Sequence, residues 1–552
     1  MLDPNEIKWH KISVKNYKVK INCFDGEGLL SLDFAKEINE SLKGNKIQMD
    51  EDEEKRENKT ENINSFQIRL PFLKGVIHST DIVGFCMKHK IDYIDGIYSF
   101  SENTTKKYDV KKLKLIITES QFKAANFMRK LKLNMDDYFN LLTKYDYHIA
   151  VSGVEPKEKK EVRLCYQFLS TLPIKPEELE YLIEKNKLML YDSVEQDNVI
   201  EGLGLSSSKT YPTGLELYDI NPLFYVSTDM YNDKRRDLFE VEKNNLALGK
   251  LYIEGTRKYL SSDLLSLLYH MIGKRLTTAS LNLNEFYCPN TILNNKCVVL
   301  RNPHYSRNEI VITTNANGKY KEREEFFGHL TGVYMVNPMS LIAERLGGAD
   351  YDGDEVCIIN DDLLLESVYP RIINKNNTFM YQLVKIPSVT NHFVKGDSPY
   401  ARRIYSLDST FSNRTGRISN LAFEKTLNAY WSLKPNMKEI GDVSFFTVLG
   451  GLEIDSCKNG KKPSLPKRTG ETIEYLKIKD IFFKKRKNEK EKKELKSYIK
   501  TVNDQSNKNT LYYVFKTFME QKIPKLDSGF KFDYFDVYED DDFIKTLAIT
   551  EA

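Results

Sequence analysis

Residues 346–359 read LGGADYDGDEVCII, and the three aspartates in this segment constrain the chain more than any other feature. Asp350, Asp352 and Asp354 occupy alternate positions, so in an extended segment their carboxylates point the same way. Three like charges this close together repel one another unless a cation lies among them. Gly353 lets the chain bend sharply and lets another backbone or a phosphate come near. The segment therefore predicts a site for a hard divalent cation.

Carboxylate oxygens with open coordination positions suit Mg²⁺, which keeps water molecules and completes its shell with substrate phosphates. We therefore expect Mg²⁺, with Mn²⁺ as a substitute, in a site for phosphoryl chemistry. Three other interpretations compete: an EF-hand calcium loop, an acidic surface turn without a ligand, and the D-x-D motif of a glycosyltransferase. An EF-hand loop requires glycine at its sixth position, where Glu355 stands, and a helix afterwards, where EVCIIN indicates a strand. Nothing around the aspartates indicates a nucleotide-sugar fold.

Composition places the chain among ordinary globular proteins. Of its 552 residues, 41% are hydrophobic and 29% are charged. Because it has no run of about 18 uncharged apolar residues and no signal-peptide pattern, we expect a cytoplasmic protein without membrane contact. The seven cysteines show no CxxC spacing, which argues against a disulfide framework or a zinc ribbon. Residues 484–500 are strongly basic, which indicates either a solvated helix or nucleic-acid contact.

Changes in hydrophobic period divide the chain into four regions. Residues 1–152 are predicted to be a β-rich region with a polar insertion at about 43–63, and residues 153–280 a helical connector. Residues 281–372 are predicted to be a second β-rich region that contains the aspartates, and residues 373–552 a mostly helical region with a charged end. Within the connector, Ser261, Ser262 and Asp263 precede LLSLL and predict the start of a helix. The pattern predicts an α+β protein.

The segment GGADYDGDEV resembles the D-x-D-G-D signature of the two-barrel RNA polymerases. This superfamily includes the multisubunit enzymes, the cellular RNA-dependent RNA polymerases of gene silencing, and single-chain relatives in phages and prophages. Further segments resemble other elements of the superfamily in the same order along the chain: DGEGLLS at 25–31, SFQIRLPFLKGVIH at 65–78, LKLIITESQFK at 113–123, VVLRNPHYSRNEIVI at 298–312, RTGRISNLAFEK at 414–425 and VLGGLEIDSCKNGKKP at 448–463. The lead-in KYLSSDLLSLL favours the phage-type branch.

The resemblance implies two double-psi β-barrels joined by a helical connector, with a mostly helical C-terminal region and the active site between the barrels. It implies a two-metal mechanism with Mg²⁺ held by the three aspartates. Lys74 and Lys123 take the places of two active-site lysines of the first barrel. Arg301 takes the place of an arginine beside the incoming nucleotide, and Lys458 matches a lysine that contacts nucleotide or nucleic acid.

Template contact is expected from basic residues along the cleft, independent of base sequence and sensitive to salt. Two candidate sets are the basic run at 484–500 and a group of four arginines shortly before it. The four are Arg402, Arg403, Arg414 and Arg417.

We therefore expect a template-directed RNA polymerase that transfers nucleotides from NTPs to an RNA 3′ end in a bacterial or phage-infected cell, with a DNA template favoured. Two alternatives remain open: an RNA-dependent RNA polymerase of the silencing type, and a non-catalytic, nucleic-acid-binding two-barrel subunit. The first barrel begins close to Met1, whereas relatives carry a longer N-terminal region. A partner chain that supplies this region, a truncated chain and a minimal enzyme are all compatible with that start.

Overall fold

The structure is a computed structural model that describes most of the chain. The described residues are 21–44, 63–202, 222–275, 280–386, 398–430, 437–459, 462–465, 484, 488–506 and 510–525. Most of the predicted polar insertion at about 43–63 lies outside them. The chain divides into two compact units. The first holds the described residues up to Leu182 and those within Gly249–Tyr513, and the second holds Ile183–Leu248 and the described residues from Val514 onward.

Short β-rich runs in the first unit form an open sheet and a separate hairpin. The strands are β1 (Glu27–Ser31), β2 (Ser65–Leu70), β3 (Leu73–Thr80), β4 (Tyr93–Ser99), β5 (Thr104–Asp109), β6 (Leu115–Ile116) and β7 (Ala150–Val154). Five of them pair in the order β6-β1-β3-β2-β7, and β4 pairs with β5. In β2, Phe66 and Ile68 are buried, while Gln67 and Arg69 alternate with them on the opposite face. This opposite face is the one that carries polar side chains.

Helices pack on the apolar face of this sheet. They are α1 (Leu32–Gly44), α3 (Ala125–Leu131) and α4 (Met135–Lys144), whereas α2 (Ile82–Lys88) packs with Leu29 in a different core cluster. Helix α4 begins with a capping box, in which the Asn134 side chain accepts from the N–H of Asp137 and the Asp137 side chain accepts from the N–H of Asn134. The buried Met135 and Tyr138 of α4 join Phe66 and Ile68 in one core cluster. Burial of these apolar side chains holds the helices on the sheet.

The second sheet closes into a barrel. Its strands are β8 (Glu161–Arg163), β9 (Tyr252–Ser262), β10 (Glu285–Tyr287), β11 (Lys296–Leu300), β12 (Val311–Asn315), β13 (Val333–Val336) and β14 (Glu355–Ile359). They pair in the order β13-β10-β12-β11-β14-β9-β8, and β13 also pairs with β9, so that six strands form a closed ring. Strand β14 confirms the strand predicted after the aspartates, and a strand at this position excludes an EF-hand.

The second sheet starts earlier in the chain than the predicted boundary at residue 281. Strands β8 and β9 fall within 153–280, the range predicted to be a helical connector, yet β9 pairs with both β13 and β14. From Lys258 to Ser262, β9 is buried on both faces, so this part of its sequence lacks the alternation of a half-buried strand. The buried Lys258 of this strand is satisfied inside the protein, because its ammonium donates to the Thr331 carbonyl at 2.5 Å.

Helices of the connector range divide between the two units. They are α5 (Tyr166–Thr171), α6 (Glu180–Asp192), α7 (Gln196–Gly202), α8 (Pro222–Ser227), α9 (Asp229–Ala247) and α10 (Leu264–Met271). Helix α10 follows β9, and the Asp263 carboxylate accepts from the N–H of Leu265 at its start, which confirms the predicted helix start. The second unit has its own small core, in which Tyr225 and Tyr231 are buried.

The remaining helices lie after β12. They are α11 (Lys321–Phe327), α12 (Ile342–Arg345), α13 (Asp362–Ile372), α14 (Pro399–Phe411), α15 (Thr415–Tyr430), α16 (Met437–Asn459), α17 (Glu489–Ser506) and α18 (Thr510–Met519). The α+β fold class is thereby confirmed. Helices α15 and α16 share a core with Tyr305, which lies in the loop between β11 and β12. The described part of the chain contains no helix long and apolar enough to cross a membrane.

Candidate active site

The three aspartates lie in a turn between α12 and β14, at one end of the closed barrel. Tyr351, in the middle of the turn, is buried and anchors it, and its N–H donates to the carbonyl of Asp25 at 2.9 Å. Gly353 has a φ of 119°, a conformation that disfavours a side chain. Strand β14 then pairs with β9 and β11, which fixes the end of the turn on the barrel.

Lys74 reaches the turn from the first sheet. It lies on β3, and its Nζ is 2.5 Å from Oδ2 of Asp352. Both side chains are partly exposed, so water screens part of the attraction between them. The structure therefore brings together the first predicted lysine and the middle predicted aspartate, which are supplied by different sheets.

Arg301 reaches the turn from the end of β11. Its Nη2 donates to Oδ2 of Asp354 at 2.9 Å, and its Nη1 donates to the carbonyl of Leu346 at 3.2 Å. The same Asp354 oxygen also accepts the backbone N–H of Asp350 at 2.8 Å. Arg301 therefore fixes both the chain leading into the turn and its last carboxylate.

Two residues of the first sheet and its loops, Gln67 on β2 and Gly26 just before β1, lie close to Asp352 in the turn. The Nε2 of Gln67 donates to the carbonyl of Asp352 at 3.0 Å. Gly26 has a φ of 87°, and a Cβ built on it would lie 2.4 Å from the Cβ of Asp352. Sequence reasoning did not assign Gly26 to the site, although it belongs to the DGEGLLS motif. Only a residue without a side chain fits between the first sheet and Asp352.

A cavity of about 50 Å³ lies beside the turn. Three carboxylic side chains are among its lining residues, namely Asp25, Glu344 and Asp350. Glu344 is paired with Lys385, whose Nζ lies 2.5 Å from Oε1. The surroundings of the turn are therefore acidic on the Asp350 side and basic on the Lys74 and Arg301 side.

The donor set of the turn fits a hard cation in its chemistry, but its carboxylates are engaged with protein cations. Asp352 is bound to Lys74 and Asp354 to Arg301. Among the described residues, no three His, Cys, Asp or Glu side chains converge in a metal-binding geometry. Two cations at two adjacent acids nevertheless mark a place where positive charge is stabilised. A divalent metal that binds these aspartates must therefore replace the Lys74–Asp352 and Arg301–Asp354 contacts.

Lys123 lies near the turn of the β2–β3 hairpin, and its contacts among the described residues are with this segment and not with the aspartates. Its ammonium donates to the carbonyl of Ser120, and its backbone N–H donates to the carbonyl of Phe72 at 2.7 Å. Since the N–H of Lys74 donates to the Gln121 carbonyl at 3.2 Å, the backbones of the two lysines belong to one hydrogen-bonded patch. The predicted position of Lys123 at the aspartates remains a prediction.

The other predicted contacts lie on the C-terminal helices. Arg403 on α14 and Arg417 on α15 are exposed. The side chains of Arg402 and Lys458 lie outside the described residues, although their backbones belong to α14 and α16. In the basic run at 484–500, α17 begins at Glu489 and presents mostly exposed residues.

Arg414 has a structural partner. Its guanidinium makes hydrogen bonds of 2.8 Å and 3.2 Å to the carboxylate of Glu453, which is fully buried in α16. It also donates to the carbonyl of Pro463 at 2.7 Å. A buried carboxylate needs a charged partner of this kind. The pairing with Glu453 therefore explains the presence of Arg414 without any contact to nucleic acid.

Glu27 is a further buried acid that sequence reasoning did not assign. It accepts hydrogen bonds from Ser261 Oγ and the N–H of Ser262, both at 3.1 Å, and from the Ser262 hydroxyl. These contacts tie β1 of the first sheet to the end of β9 in the barrel. Burial raises the pKa of Glu27 to about 8, against the lowering effect of these hydrogen bonds.

The loop that follows Arg301 is also buried. Burial raises the pKa of Glu309 to about 8 and lowers the pKa of His304 to about 3. The Nε2 of His304 lies 2.7 Å from the hydroxyl of Thr171, and Glu309 accepts the N–H of Tyr305 at 2.7 Å. These contacts give His304 a structural role in positioning the loop.

Comparison with known proteins finds an RNA polymerase among the sequence relatives. Over 314 residues, 54% of this chain, the sequence is 26% identical to the DNA-directed RNA polymerase YonO of Bacillus phage SPbeta. This homology confirms the resemblance to phage-type RNA polymerases. The aligned region spans only 34% of the length of that relative.

Among solved structures, the chain is similar to the RNA-dependent RNA polymerase QDE-1 from Thielavia terrestris. The TM-score is 0.49 at 15% sequence identity, over 79% of this chain and 45% of that chain. No protein-family model matches the sequence.

Proposed function

We propose, from the homology to a phage DNA-directed RNA polymerase, that this chain carries the catalytic region of a template-directed RNA polymerase and copies a DNA template. The observation that carries the proposal is the convergence of Lys74 from one sheet and Arg301 from the other on the aspartate turn. An acidic surface turn without a function does not need cations from two separate sheets. A DNA template is proposed because this relative is a DNA-directed RNA polymerase.

The proposal extends to the finer architecture. The closed six-stranded ring would be one double-psi barrel, and the open five-stranded sheet would be the corresponding part of the other. The parallel pairing of β1 with β3 and of β9 with β13 gives the two sheets a matching feature. Helix α16, 23 residues long, would be the helix that crosses the cleft.

Asp350, Asp352 and Asp354 would hold Mg²⁺. When bound, the metal would supply positive charge that lowers the pKa of an RNA 3′-hydroxyl and neutralises triphosphate oxygens, which is the chemistry of a two-metal mechanism. The carboxylates are hard oxygen donors in one turn, which suits this ion and also Mn²⁺. The template, the RNA product and the NTPs are the proposed partners.

The chain's own cations have separate proposed tasks. Lys74, a compact ammonium at the edge of the aspartate turn, would contact phosphate oxygens where negative charge grows during nucleotidyl transfer. Lys123 would act in the same way from the neighbouring segment. Arg301 would contact the incoming nucleotide while it orients Asp354, and Lys458 would contact nucleotide or nucleic acid.

The exposed arginines of α14 and α15 would hold the backbone of the template strand. Arg403 and Arg417 are exposed, and Arg402 belongs to the same helix as Arg403. Guanidinium groups neutralise phosphates irrespective of base sequence, so the contact would weaken as salt increases. Arg414 would support this surface indirectly through Glu453.

The proposal is tested by nucleotide incorporation. The full chain is incubated with Mg²⁺, labelled NTPs and a primed single strand, in parallel on DNA and RNA templates of matched sequence, with Asp352→Asn as the control. We expect product on the DNA template that depends on Mg²⁺ and is absent with the variant.

The other outcomes distinguish the alternatives. Product on the RNA template alone would overturn the DNA-template assignment in favour of RNA copying. Absence of product on both templates, together with template binding, would contradict catalysis by this chain and favour a non-catalytic nucleic-acid-binding subunit. Equal product with Asp352→Asn would remove the aspartate turn from the active site.

A further inference from the structure

Two exposed phenylalanine rings lie next to the candidate active site. Phe72 occupies the turn between β2 and β3 with a φ of 61°, and Phe127 lies on α3. Their rings stack with centroids 6.2 Å apart and an interplanar angle of 14°. Phe72 is 58% exposed and Phe127 is 53% exposed. A bulky residue rarely adopts a left-handed conformation, so a turn that holds Phe72 in this way and leaves its ring in water requires a reason.

The ring pair lies at the same end of the first sheet as the backbones of both predicted lysines, near the β2–β3 turn. Lys74 lies two residues after Phe72 and extends to Asp352. The N–H of Lys123 donates to the Phe72 carbonyl at 2.7 Å, and Phe127, in the first turn of α3, follows Lys123 by four residues. The Lys74 side chain therefore links the segment that carries Phe72 to the aspartate turn.

The surface around the rings is basic. Between residues 119 and 132 the chain has four basic residues and one acidic residue: Lys123, Arg129, Lys130, Lys132 and Glu119. The acidic residue is itself 3.9 Å from one of the basic residues, Arg129. Lys130 and Lys132 are exposed. A purely apolar partner would gain nothing from this charge, whereas a polyanion with flat apolar groups complements both features.

We propose that Phe72 and Phe127 form a stacking surface for the bases of single-stranded nucleic acid, with the neighbouring lysines on its phosphates. Aromatic faces accept any base, and basic side chains neutralise any phosphate, so the surface binds without base-sequence preference. The inference rests on the proposed function, because it places beside the β2–β3 turn a nucleic-acid strand that leads to the aspartate turn.

The test measures how much of the binding depends on the bases. The full chain is titrated, without Mg²⁺ and NTPs, with a fluorescent single-stranded oligonucleotide and with an abasic strand of the same length. We expect wild type to bind the base-containing strand about tenfold more tightly, the order expected for one stacked base. The variant Phe72→Leu/Phe127→Leu keeps apolar bulk on the surface and should lose most of this preference, with unchanged affinity for the abasic strand.

Tyr93→Leu is the matched control. Tyr93 is 60% exposed on β4, in the separate hairpin of the same unit, so its substitution removes an equally exposed ring. We expect this variant to keep the wild-type preference for the base-containing strand. A loss of preference in Tyr93→Leu equal to that in the double variant would overturn the assignment to Phe72 and Phe127.

Two further results would overturn the proposal. One is an unchanged preference in the double variant, which would leave the rings for another occupant such as a protein segment. The other is an equal loss of affinity for both strands, which would indicate lost charge or lost folding. Nucleotide incorporation by wild type separates this failure from that of the proposed function: normal synthesis with an unchanged preference overturns the stacking surface alone, whereas absent synthesis contradicts the polymerase.

Discussion

The ammonium of Lys74 lies 2.5 Å from a carboxylate oxygen of Asp352, and this contact joins β3 of the open sheet to the turn that leads into the closed barrel. Gly26 and Gln67 of the same open sheet also approach the turn closely. The geometry of the candidate site therefore depends on the docking of two sheets, each of which supplies part of the charge.

Lys74 should be needed for nucleotide incorporation but not for stability. Lys74→Gln should lower nucleotide incorporation by about 10²- to 10³-fold, the usual cost of removing one group that stabilises developing charge. Stability should change little, because the Lys74–Asp352 pair is partly exposed. Single-turnover incorporation and thermal unfolding measure the two effects. Lys114→Gln is the matched control, since Lys114 forms an exposed ion pair with Glu37 at 2.7 Å. Equal activity of the two variants would exclude Lys74 from the reaction.

Asp352→Asn should abolish incorporation while leaving the fold intact. The amide has nearly the shape of the carboxylate but carries no charge for a metal or for Lys74. The backbone carbonyl of Asp352 still accepts from Gln67, so the turn keeps its attachment to the first sheet. Thermal unfolding and circular dichroism should match wild type. Elongation at the wild-type rate would refute the assignment of Asp352.

The sequence predicts those parts of the site that depend on local pattern. Alternating carboxylates around Gly353, the strand after them and the helix start at Asp263 are all properties of a few consecutive residues. The position of Lys74 was inferred from the resemblance to polymerases, and the structure places its side chain on Asp352.

Long-range contacts could not be predicted in this way. The role of Gly26 depends on how closely one backbone passes another, which leaves no periodic signal in the sequence. Arg414 has the same appearance in the sequence as Arg417, and only folding reveals the buried Glu453 beside it. Strand β9 lies in the predicted connector because its part from Lys258 to Ser262 is buried on both faces and so lacks the alternation of polar and apolar residues that marks a half-buried strand.

Gly26→Ala should reduce both stability and activity. An added methyl group would lie 2.4 Å from the Cβ of Asp352 and displace the turn, in addition to a strain of about 1–2 kcal/mol from the left-handed backbone. Gly273→Ala is the matched control, because Gly273 also has a positive φ, of 70°, but has open space around its Cα. Chemical unfolding should show strain in both variants, and incorporation should fall only in Gly26→Ala. Equal activity in the two variants would contradict close packing at Gly26.

Glu27 should make stability depend on pH. Its pKa is about 8 in the folded protein and near 4.5 when unfolded, so between these values the folded state holds a proton that the unfolded state has released. This contribution to stability is full below pH 4.5 and is lost as the pH rises toward 8. Glu27→Gln is neutral throughout, so its free energy of unfolding should fall less between pH 5 and pH 8. Urea unfolding at several pH values measures the difference.

The pKa of Glu309 is shifted in the same direction as that of Glu27, but in both the wild type and the variant, so its effect cancels in the comparison. Parallel pH profiles would show that Glu27 is charged when buried.

Substitutions of Arg414 and Arg403 should have different effects, because Arg414 has a structural role and Arg403 is proposed to contact phosphate. Arg414→Ala leaves the buried Glu453 carboxylate without its guanidinium, which should lower the free energy of unfolding by several kcal/mol, on the order of 3. Arg403 is exposed on α14, so Arg403→Ala should leave stability unchanged and weaken single-strand binding, with a salt slope smaller by about one. Arg414→Ala/Glu453→Gln should recover part of the lost stability, because the unpaired charge is gone. Thermal unfolding and fluorescence anisotropy across a salt series test both arginines. If Arg414→Ala unfolded like wild type and lowered the salt slope, then Arg414 would contact the nucleic-acid backbone directly.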